Sequence, residues 1–506
     1  MQSKIRWNRW LFLALASGVS VAGCWGCGGA PQAQPAASSL TFEGQVVRVV
    51  SPDDSVTALL KRYAPAWERK VGTRVDVVAN VTGSDLTTYP DASAWVVRPA
   101  ELPRWAAAEK LAPVPIEYKA QSGAYSWQGL LPLYREKLLR WAGETYALPI
   151  LGDAPACFYR ADLLADARHR QTFLEKLGRE LRPPRTWDEL ADIAEYFYEH
   201  REPGKTVPSH PPLPVRTEDL DYLFYVVAAP YTRQVMYQGQ RAPVSDQELF
   251  SFHYDLKTGE PRIGGPGFVY ALRLLQRMQR CRPAEASPTP AQAFADGQAV
   301  VCVAEASEIA RFRKKLPASS IGVCEVPGSS RWFGFRDGKE EAVLEGGNNV
   351  PYQGAHGWFA VVPRSAPHNE AAFALFAELS DRSAGTQVVF DPQWGGGAYR
   401  EDHLKPSQNW LSFDLGDEST GKLREAIQQT VARPGLMNSA VRLRIPDQEL
   451  YQRALVAEVQ QALTANMEAQ KALQKVVESW MKLDARKDRK QRTNEYLLSL
   501  GLSPIQ

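Results

Sequence analysis

The chain has 506 residues, of which 44% are hydrophobic and 23% are charged. This composition is typical of a globular protein with a large core, and the length predicts two or three compact units. Lysine and arginine total 59 against 57 aspartate and glutamate residues, and the resulting net charge of +2 is too small to favour nucleic acid or a membrane surface as a partner.

The first forty residues have the pattern of an export signal followed by a linker. A basic stretch that ends at Arg9 precedes an apolar run at 10–21, which is too short to span a bilayer and predicts a cleaved signal. The Val-Ala-Gly-Cys sequence that ends at Cys24 resembles the cleavage site of bacterial lipoproteins. We therefore expect removal of residues 1–23, lipidation of Cys24 and a flexible tether at 24–41. An ordinary secretory signal with a spare cysteine is the alternative.

After the tether, strand-like and helix-like patterns alternate. Short apolar runs predict strands at 45–50, 74–79 and 94–97, and helical spacing predicts helices at 56–70 and 101–109. Strands and helices that alternate with short links are typical of a parallel sheet built from β-α-β units.

The second half of the chain is mainly helical in pattern. Apolar residues at helical spacing predict helices in four regions, at 186–200, 220–229, 268–281 and, as a pair of helices, 451–483. Thr186 followed by Glu189 predicts a capping box at the start of the first of these regions.

A turn at Gly152-Asp153-Ala154-Pro155 separates two short apolar strands, predicted at 146–151 and 156–159. Such a turn places the Asp153 carboxylate and free backbone N–H groups at strand ends. Open α/β sheets bind their ligands at strand ends, so this turn is a candidate ligand contact.

Three stretches around this turn resemble the family 1 extracellular solute-binding proteins, the maltose-binding-protein-like receptors of ABC importers. They are Tyr146-Ala-Leu-Pro149, Tyr159-Arg-Ala-Asp-Leu163 and Pro183-Pro-Arg-Thr-Trp-Asp-Glu-Leu190. Arg160 stands where the family frequently has asparagine. Weaker similarities extend the resemblance from about residue 45 to residue 483.

The resemblance implies an α/β, two-lobed periplasmic-binding-protein-like fold of type II, with the ligand cleft between the lobes. Residues 42–150 and 357–397 would form the first lobe, and residues 151–356 and 398–485 the second. Residues 486–506 would then be a C-terminal tail. A final crossing between the lobes is expected at Trp394 to Arg400.

A cleft for a polar solute needs aromatic faces for sugar rings, and carboxylates, amides or arginine for hydroxyl groups. By residue type and by position in the resembling motifs, ten residues are candidate ligand contacts: Ser51, Asp53, Arg98, Asp153, Glu305, Asn348, Asn349, Trp358, Trp394 and Tyr399. The residues with the best support are Asp153, Glu305, Trp358 and Trp394. Turn chemistry is the alternative role for Ser51, Asp53 and the asparagines, and hinge packing is the alternative for Trp394.

No motif for nucleotide binding, nucleophilic catalysis or metal binding appears after the signal region, so we expect no enzyme activity, no cofactor and no metal. The resemblance implies a monomeric receptor, lipid-anchored in the periplasm or cell envelope, that passes a small solute to ABC permease subunits. By the family's commonest ligands, the solute would be a saccharide or related polyol, and oligopeptides, polyamines and anions stay open as other ligand classes. Two alternatives stay open. The receptor could serve a sensor, or the chain could be a secreted hydrolase with Asp153 and Glu305 as its carboxylate pair.

Four cysteines lie beyond the signal peptide and the tether, namely Cys157, Cys281, Cys302 and Cys324. An exported chain permits disulfides, and a bridge between the strand-like runs of Cys302 and Cys324 is one option. Spacing does not fix the connectivity, and four buried thiols are the alternative.

Overall fold

The computed structural model describes residues 41–79, 85–120, 125–200, 217–235, 246–281, 289–335, 337–342, 347–433 and 440–505. The expected signal peptide, the tether and Cys24 lie outside the described residues. Thr41–Gln506 forms one compact unit. In the part of the chain described, no helix combines the length and apolarity needed to cross a membrane.

The strands fall into two main sheets and two short hairpin-like pairs. They are β1 (Val46–Val50), β2 (Arg74–Val78), β3 (Ala94–Val97), β4 (Arg140–Trp141), β5 (Glu144–Thr145), β6 (Ala147–Leu151), β7 (Pro155–Arg160), β8 (Val301–Glu305), β9 (Ile321–Cys324), β10 (Arg331–Phe333), β11 (Glu340–Ala342) and β12 (Trp358–Val361).

The first sheet has the strand order β2-β1-β3-β12-β6. β1 is parallel to β2 and β3, as the alternating pattern predicted, whereas β12 is antiparallel to β3 and β6. The register places Phe359 opposite Val97 and Trp358 opposite Leu151. The start of β12 therefore lies beside the carboxyl ends of β3 and β6, at one edge of the sheet.

The second sheet has three antiparallel strands in the order β8-β7-β9. Pro155 at the start of β7 pairs with Glu305 at the end of β8. Since β7 follows β6 after a short turn, the edge of the second sheet that carries Glu305 lies next to the edge of the first sheet that carries Leu151.

The helices surround these sheets. They are α1 (Asp54–Val71), α2 (Leu102–Ala107), α3 (Ile116–Lys119), α4 (Ala161–Ala165), α5 (Ala167–Leu177), α6 (Trp187–Glu199), α7 (Thr217–Thr232), α8 (Asp246–Phe250), α9 (Pro266–Arg280), α10 (Pro290–Ala295), α11 (Ile309–Arg313), α12 (Asn369–Leu379), α13 (Ala384–Val389), α14 (Asp417–Val431), α15 (Gln448–Thr464), α16 (Ala469–Asp484) and α17 (Arg489–Ser499).

The predicted helices of the sequence analysis are confirmed, including the pair at 451–483. Thr186 caps α6 as predicted, because the N–H of Glu189 donates to Oγ1 of Thr186 over 3.1 Å. The second bond of the predicted capping box is displaced by one residue, since the Glu189 carboxylate accepts from the N–H of Arg185 at 2.7 Å. The segment expected as a C-terminal tail instead contains α17, whose Tyr496 is buried in the second core. The Tyr496 hydroxyl accepts hydrogen bonds from the N–H groups of Phe252 and His253, so α17 belongs to the folded body.

Two hydrophobic cores lie on opposite faces of the second sheet. Phe158 of β7 packs in the first core, which also fills the first sheet and includes α14. Its neighbours Cys157 and Tyr159 point into the second core, with α6, α7, α9, α15 and α16. This alternation follows from the period of two along a strand.

The chain crosses between the two sheets at several places, and the crossing segments contact each other through backbone atoms at glycine residues. A Cβ atom on Gly152 would lie 2.4 Å from the carbonyl oxygen of Ala398, and one on Gly397 would lie 2.6 Å from the carbonyl oxygen of Gly152. Gly357 has φ +86°, and a Cβ atom there would lie 2.7 Å from the carbonyl oxygen of Leu151. Glycine is required at these positions because no side chain fits between the crossing segments.

A further crossing, which the sequence analysis missed, lies at 440–445. Val441 packs in the first core and Leu443 in the second. Arg444 is fully buried and donates to the backbone carbonyls of Pro99 (3.1 Å), Lys137 (2.9 Å), Leu138 (2.9 Å) and Arg140 (3.2 Å). The guanidinium group therefore holds this crossing against residue 99, which follows β3, and against the segment 137–140, which precedes β6 in the chain. We refer to Arg444 and its four carbonyl acceptors as the arginine anchor.

Candidate ligand site between the two sheets

Four of the predicted site residues lie at the adjacent edges of the two sheets. Arg98 follows β3, Asp153 follows β6, Trp358 begins β12 and Glu305 ends β8. The strand registers bring these ends together, because Trp358 is opposite Leu151 and Glu305 is opposite Pro155. The edge that gathers them is the place where α/β sheets bind ligands.

Asp153 is buried and is used by the backbone around it. Its carboxylate accepts hydrogen bonds from the N–H groups of Gly354 at 2.7 Å and His356 at 3.0 Å. Its own N–H donates to the hydroxyl of Tyr134 at 2.7 Å. Burial raises the pKa of Asp153, and the backbone N–H groups of residues 354–356 oppose that rise. Asp153 thus holds the loop before β12 against the turn that joins β6 to β7.

The N–H groups of the turn, which the sequence analysis expected to be free, are bonded in the structure. Gly152 donates to the carbonyl oxygen of Gly397 at 2.9 Å. Ala154 donates to Oε2 of Glu305 at 2.7 Å.

Glu305 carries an unused hydrogen-bonding atom. Its Oε1 is buried, makes no hydrogen bond with any described residue and lies 3.8 Å from Nε2 of His356. Burial, and then the charge of Asp153, raise the pKa of Glu305 to about 8. The side chain therefore keeps its proton at neutral pH and is able to donate as well as accept a hydrogen bond.

His356 and Tyr222 complete the second-sheet side of the site. Their rings meet edge to face with 4.3 Å between centroids. Burial, and then the charges of Arg98 and Arg442, lower the pKa of His356 to about 3, so its ring is neutral at physiological pH. The Tyr222 hydroxyl is buried and has no hydrogen-bond partner among the described residues. Burial and the charge of Glu305 raise the pKa of Tyr222 well above its usual range.

Arg98 and Trp358 form the first-sheet side of the site. The Arg98 guanidinium lies 3.5 Å from the centroid of the Trp358 ring, and its Nη1 donates to the carbonyl oxygen of Gly357 at 3.1 Å. Both side chains are half-buried. The charge of Arg98 opposes the burial-driven rise in the pKa values of Asp153 and Glu305 and adds to the fall in that of His356, so the guanidinium lies near all three groups. We call Arg98, Tyr222, Glu305, His356 and Trp358 the cleft cluster.

Ser51 and Asp53 perform the turn chemistry that was their alternative role. Ser51 is fully buried, and its hydroxyl donates to the carbonyl oxygen of Asp53 at 3.2 Å. The Asp53 carboxylate caps α1 by accepting from the N–H groups of Ser55 at 2.9 Å and Val56 at 3.1 Å.

Asn348 and Asn349 bond to the backbone of the second lobe. Asn348 is buried, donates to the carbonyl oxygens of Pro230 and Arg233, and accepts from the N–H of Val235 at 2.7 Å. Asn349 donates to the carbonyl oxygen of Val326 at 3.1 Å. The amide of Asn348 therefore stabilises the end of α7.

Trp394 and Tyr399 pack in the first core. Trp394 is 7% exposed and has the Arg62 guanidinium 5.7 Å from its ring centroid. Tyr399 is fully buried, and its ring contacts the rings of Tyr134 and His403 at centroid distances of 6.4 and 4.7 Å. These two side chains support the crossing that follows α13.

The sequence analysis missed His356 and Tyr222 as site residues. His356 had a local signal, because it directly precedes Gly357 and Trp358 in the glycine-rich stretch before β12. Tyr222 had none, because it lies within the apolar helix α7 and only the tertiary packing brings it to His356.

The structure is similar to solved ABC-transporter solute-binding proteins. The Agrobacterium radiobacter protein in complex with ribitol is 17% identical, with 88% of this chain and 100% of that chain covered and a TM-score of 0.59. The Agrobacterium vitis protein with bound D-mannitol is 15% identical, with coverage of 88% and 99% and a TM-score of 0.60. The maltose-bound MalE3 of T. maritima is 18% identical, with coverage of 87% and 100% and a TM-score of 0.55.

No protein-family model and no curated protein matches the chain. The structural similarity extends over most of the described residues, and it shows that the chain has the fold of the ABC-transporter solute-binding proteins. The predicted fold class, α/β with two lobes of the type II periplasmic-binding kind, is confirmed.

Proposed function

We propose that the chain is an extracytoplasmic receptor that binds a saccharide or polyol between its two lobes and delivers it to an ABC-transporter permease. The solved proteins that share its fold hold ribitol, D-mannitol and maltose. The observation that carries the proposal is the cleft cluster, where polar groups from both sheets converge and two buried oxygen atoms have no hydrogen-bond partner among the described residues. Buried polar groups are normally paired, so such atoms point to a ligand.

The chemistry of the cleft cluster favours a neutral, hydroxyl-rich solute. Protonated Glu305, neutral His356 and the Tyr222 hydroxyl each offer both a donor and an acceptor, which is what a hydroxyl group requires. Trp358 supplies an aromatic ring of the kind that stacks on sugar rings, and the Arg98 guanidinium beside it supplies donors. A solute that lacked these hydroxyl groups would leave the buried oxygen atoms unpaired and would bind more weakly.

Binding would couple to closure of the two lobes. Arg98 and Trp358 belong to the first sheet, whereas Glu305 belongs to the second and Tyr222 to α7 beside it. A solute that contacts both sets would favour the closed form, because it would bind more tightly to that form than to the open one. In the proposed lobe division, residues 42–150 and 357–397 move against 151–356 and 398–485.

We extend the proposal to the N-terminal segment on its sequence pattern. A lipid on Cys24 and a tether at 24–41 would keep the receptor at the membrane where a permease operates. A receptor that feeds a sensor would use the same cleft.

The hydrolase alternative finds less support. Glycoside hydrolysis needs two carboxyl groups that flank the scissile bond. Both oxygens of Asp153 accept backbone hydrogen bonds, from Gly354 and His356, and its side chain is buried. Asp153 therefore has a positioning role around the site and does not present a second carboxyl group to a substrate beside Glu305.

A thermal-shift screen of residues 41–506 tests the proposal, with pentitols, hexitols, maltose, amino acids and polyamines as ligands. A solute at a hundred times its Kd adds about 2.7 kcal/mol of stability, which is a readily measured rise in Tm. We expect a hydroxyl-rich solute to give this rise and to be recovered unchanged by chromatography. A rise with amino acids or polyamines and none with hydroxylated solutes would contradict the ligand class, and consumption of the solute would contradict the receptor role.

A further inference from the structure

Three cysteines lie on the three strands of the second sheet. Cys302 is on β8, Cys157 on the central strand β7 and Cys324 on the edge strand β9. Cys281 follows α9. None of these four cysteines is in a disulfide in the structure.

The strand register places two of these cysteines directly opposite each other. Cys157 pairs with Cys324 on antiparallel strands. Opposite residues on such strands have Cα atoms about 4.5 to 5.5 Å apart. A disulfide requires a Cα separation of about 4.4 to 6.8 Å, so this backbone position already satisfies the requirement.

The side chains of Cys157 and Cys324 also share a face of the sheet. Both pack against the second core. Cys302 pairs with Phe158 and points into the first core, on the opposite face, so it cannot bridge to Cys324. The Cys302–Cys324 bridge considered in the sequence analysis is therefore excluded, because the two residues lie on strands that are not neighbours and point to opposite faces.

The two thiols differ in access. Cys157 is fully buried, whereas Cys324 is half-buried. Burial, and then the neighbouring Cys324 thiol, raise the pKa of Cys157. Cys324 is thus the thiol that an oxidant reaches first.

We propose that Cys157 and Cys324 form a disulfide that links β7 to β9. The oxidising surroundings rest on the proposed export of the chain. The oxidant is a disulfide, either of a thiol–disulfide oxidoreductase or of a small thiol such as glutathione. The Cys324 thiolate attacks one sulfur of the oxidant and releases the other as a thiolate. The Cys157 thiolate then attacks the Cys324 sulfur and releases the second oxidant thiolate. The two cysteines lose two protons and two electrons, and the oxidant becomes two thiols.

The bridge would stabilise the edge of a small sheet. β9 pairs with β7 on one side and has no other strand partner in the described residues. β7 begins directly after the crossing at 152–154, and β9 leads into the loop in which Gly328 donates to the carbonyl oxygen of Arg185. The disulfide lies within the second sheet and does not cross the cleft, so we expect it to raise stability and leave solute affinity unchanged.

Peptide mapping of the full chain tests the bridge. The chain is equilibrated in a mixture of oxidised and reduced glutathione. It is then denatured in the presence of N-ethylmaleimide, which blocks the remaining thiols, and digested without reduction. We expect one cross-linked peptide pair, containing Cys157 and Cys324, with a mass lower by two hydrogen atoms than that of the separate peptides. The peptides of Cys281 and Cys302 should carry the maleimide. Maleimide on both Cys157 and Cys324, or a cross-link of either one to a different cysteine, would overturn the proposal.

Thermal unfolding provides a second measurement. A reductant should lower the Tm of the oxidised wild type and of Cys302→Ser, the matched control, and should leave the Tm of Cys324→Ser unchanged. An equal response of wild type and Cys324→Ser would contradict the bridge. Neither measurement uses a solute, so the failure of the bridge and the failure of the receptor proposal are distinguishable.

Discussion

The arginine anchor and the cleft cluster both lie beside the places where the chain crosses between the two sheets, and both contain buried polar atoms. Arg444 donates to four backbone carbonyls, so the anchor is satisfied within the protein itself. The cleft cluster contains Oε1 of Glu305 and the Tyr222 hydroxyl, which have no hydrogen-bond partner in the described part of the chain. The presence or absence of hydrogen-bond partners within the protein therefore distinguishes a structural polar group from one suited to a ligand, and burial alone does not make this distinction.

Arg444→Met should give the largest effect and should act on stability alone. Four backbone carbonyl groups lose a charged and fully buried donor, so we expect a loss of roughly 3 to 5 kcal/mol in the free energy of unfolding, measured in urea. Arg104→Met is the control, because Arg104 makes a half-exposed ion pair with Glu449 at 3.5 Å and should cost less than about 1 kcal/mol. Similar losses for both variants would contradict the role of the anchor.

Glu305→Gln should change the pH dependence of stability. The folded state keeps the Glu305 proton up to about pH 8, whereas the unfolded state loses it near the ordinary pKa of 4.5. The wild type therefore loses stability as pH rises through this window, and the glutamine variant does not. With about 1.4 kcal/mol for each unit of pKa difference, we expect the variant to gain roughly 4 kcal/mol over the wild type by pH 8. Unfolding in urea at several pH values checks this, and a stability difference that stays constant with pH would contradict the raised pKa.

Glu305→Ala should weaken solute binding about twentyfold, because the group that pairs with a ligand hydroxyl is removed. Isothermal titration calorimetry with the solute found in the thermal screen measures this. Glu308→Ala is the matched control, since Glu308 lies nearby in the chain but pairs with Arg311 at 2.6 Å. Equal affinities of wild type and Glu305→Ala would remove Glu305 from the site.

Tyr222→Phe should have the smallest effect, a loss of affinity of about fivefold with stability unchanged or slightly higher. The lost hydroxyl makes no hydrogen bond with any described residue, so its removal breaks none of the described hydrogen bonds. Tyr196→Phe should show the reverse, with full affinity and lower stability, because the Tyr196 hydroxyl donates to the carbonyl oxygen of His169 at 3.2 Å. If Tyr222→Phe lost stability and kept its affinity, the Tyr222 hydroxyl would have a structural role and no contact with the solute.

The sequence predicted those parts of the fold that local patterns determine. The strand expected at 45–50 is β1, the helix expected at 56–70 is α1, and Thr186 caps α6 as its spacing indicated. No local pattern predicted that β12 lies between β3 and β6 in the first sheet, because this position depends on the return of a segment that is distant in the chain. The antiparallel second sheet likewise depends on strands far apart in the chain.

The candidate site was partly predictable for the same reason. Four of its residues lie at strand ends, which are visible in the sequence: Arg98 and Asp153 follow a strand, Glu305 ends one and Trp358 begins one. Their grouping at one edge was expected, and their contact with a ligand stays a prediction. Tyr222 and Arg444 were not predictable, because a tyrosine in an apolar helix and an arginine in a loop acquire their roles through partners that are remote in sequence.

The glycines at the crossings set a limit on how this sequence can vary. At Gly152, Gly357 and Gly397 a single added methyl group would meet the backbone of the neighbouring crossing. In a library that randomises every position, we expect these three positions to accept no other residue, whereas their neighbours tolerate exchange. The pattern of permitted variation would thus mark the pivot of the molecule before any solute is known.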